Sequence, residues 1–149
     1  MALGGCAVSF HVEAGIRADS RGADLHAGVS LGIGLGGRGE GGSFTQAIGV
    51  DVDSADGGRL STTTAYLGPG PGSFYHSARL QFLDGGGARL GGELLYALRR
   101  TEELDTVLGG DAVSRPRSVS LVLLGAQLSA TRDDDRTGAA LDAVFELHP

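Results

Sequence analysis

The sequence predicts an all-β fold: an eight-stranded antiparallel up-and-down β-barrel. Two observations carry that expectation. Apolar residues alternate with small or polar ones at a period of two in successive segments. Short breaks rich in Gly, Asp, Ser and Pro separate most of them: "ADSRGAD", "GGRGEGG", "DSADGG", "GPGPG", "DGGG" and "TRDDDRTG". A meander of this kind escapes exposed edges most simply by closing on itself.

Each strand can be read in turn. The first, Val8–Ile16, sets Val8, Phe10, Val12, Ala14 and Ile16 against Ser9, His11, Glu13 and Gly15. The second, "LHAGVSLGIGLGG", sets Leu25, Ala27, Val29, Leu31, Ile33 and Leu35 against His26, Ser30 and a series of glycines. The third sets Phe44, Ile48, Val50 and Val52 against Thr45, Ala47, Gly49 and Asp51. The fourth, "RLSTTTAYLG", alternates less cleanly, with Leu60, Thr62, Thr64 and Tyr66 on one face. The fifth sets Phe74, Ala78, Leu80 and Phe82 against Tyr75, Ser77, Arg79 and Gln81. The sixth sets Leu90, Leu94, Tyr96 and Leu98 against Arg89, Gly91, Glu93 and Arg99. The seventh, Ser118–Ala130, is apolar on both faces. The eighth sets Ala139, Leu141, Ala143, Phe145 and Leu147 against Gly138, Ala140, Asp142, Val144 and Glu146. Only Thr101–Pro116 is a long connection, and "TEELDTVL" within it has the composition for one or two helical turns.

A chain of 149 residues is the length of one domain. We assign residues 8–147 to the barrel and 1–7 to a leading segment. The net charge of −6 argues against a nucleic-acid partner. No apolar run approaches the roughly 20 residues of a membrane-spanning helix. The single cysteine excludes an internal disulfide.

The two faces differ in kind. One is aliphatic, whereas the other is Gly, Ala and Ser with isolated charges. Glycine weakens an ordinary strand, yet a narrow eight-stranded lumen needs small residues wherever a larger one protrudes. That places the aliphatic face outward, as in a transmembrane barrel. Phe10, Phe44, Phe74, Tyr66, Tyr96 and Phe145 then all face outward near the rim that holds both termini, a one-sided aromatic girdle. With this pattern the chain resembles the small eight-stranded bacterial outer-membrane barrels over about Val8 to Leu147. Arg136, Gly138, Leu141 and Ala143 resemble the assembly signal of their last strand, although the chain runs on past Phe145 to Pro149. The resemblance implies membrane lipid as partner and periplasmic termini.

Candidate sites follow. Inward charges at Glu13, Arg79, Glu93, Asp142 and Glu146, with His11, are expected to form a lumen charge network, alongside Arg17, His26, Asp51, Arg89 and Arg99. Arg79 is expected directly opposite Glu93, in a register where Leu83 opposes Arg89. The outward polar residues Thr62, Thr64 and His76 form a candidate partner face on strands four and five. Another envelope protein is expected there or at the 101–116 connection. "LGGC" (Leu3–Cys6) resembles a lipobox, which makes Cys6 the expected lipidation site of a lipoprotein. No cofactor or metal is expected, since "GIGLGG" (Gly32–Gly37) leads into another strand and not the helix that a dinucleotide needs. Adjacent His76 and Ser77 point to opposite strand faces and cannot form a catalytic pair without a bulge. Two other classes compete with a structural or partner-binding role. A soluble or lipid-anchored lipocalin-like carrier would have a lumen lined by Leu25, Val29, Leu31 and Ile48. An enzyme on membrane lipid would use His76 or the Glu13/Asp142 region.

Overall fold

The computed structural model describes residues 7–35, 42–54, 57–105, 115–133 and 136–149. Its eight strands are β1 (Ala7–Asp19), β2 (Gly22–Leu35), β3 (Ser43–Asp53), β4 (Gly57–Pro69), β5 (Phe74–Leu83), β6 (Ala88–Asp105), β7 (Arg115–Asp133) and β8 (Arg136–His148). Each pairs with its sequence neighbours, and β1 pairs antiparallel with β8 from Phe10↔Leu147 to Asp19↔Gly138, closing the barrel. The eight-stranded antiparallel order read from the alternation is therefore present as a closed all-β barrel. No helix occurs among the described residues.

Alternation decides the facing. Leu31, Ile33, Leu80, Leu94 and Leu141 are exposed on the outer wall, whereas Arg79, Glu93 and Asp142 are buried in the lumen. Phe44 lies opposite Tyr66, their rings 5.1 Å apart, and Phe74 lies opposite Tyr96 at 5.3 Å. Phe10 pairs with Leu147 and Phe145 with Leu124, so all six aromatics lie toward the end of the barrel holding both termini. Phe82 stands near the opposite rim.

Three expectations need correction. Residues 101–105 continue β6 as strand instead of turning into helix, because they pair with the lengthened β7; residues 106–108 lie outside the described residues. A register shift between Ala97 and Arg99 reverses the alternation, and Arg99 is exposed rather than inward. The β5–β6 register is displaced by two residues. Gln81, not Leu83, opposes Arg89, because the turn closes where the Leu83 N–H donates to the Gly87 carbonyl (2.8 Å), leaving three residues, Asp84–Gly86, between them, with positive φ at Gly85 and Gly86. A shift of two leaves every side chain on its expected face.

The lumen explains the glycines of β2. A Cβ at Gly28 would lie 2.9 Å from Glu13 Oε1, and one at Gly32 would lie 2.6 Å from Thr45 Cγ2. Side chains from other strands already occupy that space. Overpacking typically costs about 1–3 kcal/mol, so Gly32→Val should lower stability by that amount in denaturant unfolding. Val29→Leu, at an outward position of the same strand, should be near neutral.

Candidate functional site

The lumen is filled in three tiers. Toward the rim opposite the termini, Arg17 bonds Asp53 (3.0 Å), Arg59 pairs with Asp133, and Arg136 approaches Asp19 (3.5 Å). Toward the termini, Leu67, Tyr75, Leu95, Leu121, Leu123 and Val144 form an apolar cluster. Between them lies the charged tier.

Strand alternation aims that tier inward from six strands. Arg79 on β5 donates to Glu93 on β6 (3.0 Å) and reaches across to Glu146 on β8 (2.6 Å). Glu146 also accepts from His148 (2.9 Å) and lies 2.9 Å from His11 Nδ1. Arg89 on β6 donates to Glu13 on β1 (2.6 Å) and to Asp51 on β3 (3.2 Å). Gln127 adds a bond to Glu13 (3.0 Å), and Gln81 adds one to Asp51 (2.5 Å). His26 lies between two carboxylates, with Nε2 2.5 Å from Asp51 and Nδ1 3.0 Å from Asp142. A neutral ring has one N–H and can serve only one of them as donor, whereas an imidazolium serves both.

Charge balance follows from composition. Within this tier the carboxylates of Glu13, Asp51, Glu93, Asp142 and Glu146 outnumber the guanidiniums of Arg79 and Arg89. His11, His26 and His148 stand among the excess acids. An isolated buried ion costs several kcal/mol, and this tier leaves none isolated. Two trios, His11/Glu93/Glu146 and Glu13/His26/Asp51, have donor atoms close enough together for a cation. In both, a guanidinium already holds two of the carboxylates, Arg79 in the first and Arg89 in the second. The chain thus places its own cation at each point.

The structure brings Glu13, Arg79, Glu93, Asp142, Glu146 and His11 into one tier. The Arg79–Glu93 pair forms diagonally, since Arg79 opposes Gly91 and Glu93 opposes Ser77. Sequence reading passed over Gln127, His148 and the Arg59–Asp133 pair. Extending the phase of β8 beyond Glu146 would have found His148. Gln127 was hidden because strand seven is apolar on both faces.

Thr62 and His76 are exposed on the outer wall and Thr64 is half-buried there. Gln46 joins them, donating to Thr64 across the β3–β4 pair (2.7 Å). Ser77 is buried while His76 is exposed, so the two diverge as strand geometry requires. "GIGLGG" lies on β2 as far as Leu35, with Gly36 and Gly37 outside the described residues. Cys6 also lies outside them, immediately before Ala7 of β1. The two cavities bordering the charged tier measure about 10 Å³ each. That is room for about one water.

Arg79→Ala should destabilise the barrel by about 3–5 kcal/mol in urea unfolding, because Glu93 and Glu146 lose their shared cation. Adding Glu93→Gln should recover part of that loss, which a double-mutant cycle measures. No protein-family model, curated protein or solved structure matches this chain.

Proposed function

We propose that this chain is a transmembrane β-barrel of the bacterial outer membrane, with a plugged lumen and a structural or partner-binding role. The observation that carries the reading is the inverted partition of the closed barrel. Leu25 and Ile48 are each 70% exposed and Leu128 is 66% exposed, while Glu13, Arg79, Glu93 and Asp142 are at most 7% exposed. Water would favour the reverse, and a continuous apolar wall of this extent marks contact with lipid or protein. Tilted strands of about 9–11 residues are enough to cross a bilayer core. β5, with 10 residues, is the shortest strand here. The aromatic end supplies an interfacial belt.

With the termini periplasmic, the β6–β7 hairpin extends into the periplasm and the turns at the opposite rim face outward. β1 begins at the belt end one residue after Cys6 in sequence, so acylation of Cys6 would place the chains beside the adjacent leaflet. The polar face at Thr62, Thr64 and His76 offers a docking point for a protein partner in the envelope. Two competing readings gain no support. A carrier needs Leu25, Val29, Leu31 and Ile48 around a cavity, and they lie on the outer wall. Lipid chemistry at Glu13 and Asp142 needs a reachable site, and both are sealed within the filled lumen.

Expressed in its native host, the protein should stay with membranes through alkaline carbonate extraction and dissolve only in detergent. Folded, monodisperse protein in detergent-free buffer would overturn the membrane assignment. Intact mass should show a mature chain beginning at an acylated Cys6; an unmodified thiol there removes the lipoprotein assignment alone.

A further inference from the structure

The outer wall is not uniform around the barrel. On β1, β2, β6, β7 and β8 the described outward positions from the opposite rim to the aromatic belt are Ala, Val, Ile, Leu, Gly or aromatic, and the exposed Arg99 of β6 lies beyond Tyr96 on the terminal side. The polar exceptions are confined to one sector: Gln46 on β3, Thr62 and Thr64 on β4, and His76 on β5. A groove of about 720 Å³ lies in the same sector, bordered by Leu31, Ile48, Val50, Leu60, Thr62 and Phe82. Thr62 belongs to both features, with Ile48 and Phe82 as its register partners on either side.

Resting on the membrane reading, we infer that this β3–β5 sector is the interface of a two-fold homodimer whose axis runs along the bilayer normal. Lipid is a poor occupant. Gln46 gives one N–H to Thr64, but an acyl chain leaves its carbonyl and remaining N–H unmet in hydrocarbon, which is costly. A second copy suits the surface for two reasons. Gln, Thr and neutral His each both donate and accept hydrogen bonds, so the stripe is complementary to itself. The stripe holds no Arg, Asp or Glu that would meet its own twin across the axis, and Asp84, the charged residue that borders the groove, stands exposed in the β5–β6 turn at the rim. Phe82, 53% exposed at the groove edge, supplies a projection beside a hollow. A two-fold axis seats the Phe82 of each copy against the Ile48–Leu60 hollow of the other, as an isologous contact requires.

Cysteine crosslinking in native membranes tests this. Thr62→Cys marks the interface on β4, and Leu128→Cys marks β7, three strands away around the barrel. Cys6 stays in place in both variants, so any crosslink of its own appears in the control. Mild oxidation should convert Thr62→Cys to a band of twice the mass and leave Leu128→Cys monomeric. Phe82→Ala, or Gln46→Leu where the first folds poorly, should cut the Thr62→Cys dimer at least fivefold. Three results overturn the inference: no dimer, equal dimer in both variants, or a Thr62→Cys adduct with a protein of different mass. Each reads on protein retained by carbonate-washed membranes. Loss of that retention refutes the membrane reading instead, so the two failures are distinguishable.

Discussion

Closure of β1 onto β8 is the constraint on which the rest of this molecule depends. A flat eight-stranded meander would leave two edges of unpaired N–H and C=O groups, and it would have two faces without an inside. The Phe10–Asp19 pairing with Gly138–Leu147 removes both edges. It also converts alternation along each strand into a partition between lumen and surroundings. Once closed, every odd–even choice in the sequence acquires a physical meaning.

The lumen then imposes its own arithmetic. An eight-stranded barrel has space for side chains but not for a long one at every inward position. Here most of the long groups come from β1, β5, β6 and β8, joined by His26 of β2 and Gln127 of β7, and they reach across to one another and to Asp51. The β2 wall answers with Gly28, Ser30, Gly32 and Gly34, and β3 with Ala47 and Gly49. The division of labour lets the guanidiniums of Arg79 and Arg89 each span two carboxylates on different strands. Such bridges tie β1, β3, β5, β6 and β8 together inside the sheet, independently of the backbone ladder. The same guanidiniums occupy the points where the acids would otherwise gather a cation, so the network serves better as a plug than as a binding site.

The outer wall shows a second consequence of that division. The groove on β2–β5 lies where the wall turns small residues inward, with Ser30, Gly49 and Ser61 along its border. A polar stripe crosses the same region. Packing inside the barrel and the contour of the wall outside it are thus linked through a sector of the sheet, and a substitution at Gly49 touches both.

The sequence by itself determined the strand number, the meander order, closure, and, on every strand but the seventh, which face looks inward. These follow from a period of two and from turn residues, both local properties. It also placed Glu13, His11, Arg79, Glu93, Asp142 and Glu146 on a common side. Tertiary structure decided what periodicity cannot carry. The β5–β6 turn, closed between Leu83 and Gly87, displaced the register by two, which preserves facing but moves Arg79 from opposite Glu93 to diagonal. The register shift before Arg99 put that side chain outside. The continuation of β6 to Asp105 depends on a partner strand that local composition does not contain. Partners such as Arg79 with Glu146, or His26 with Asp142, are 67 and 116 residues apart in sequence. Only the curvature of the closed sheet brings such groups within reach, because alternation fixes the side a residue faces and says nothing of what stands across the lumen.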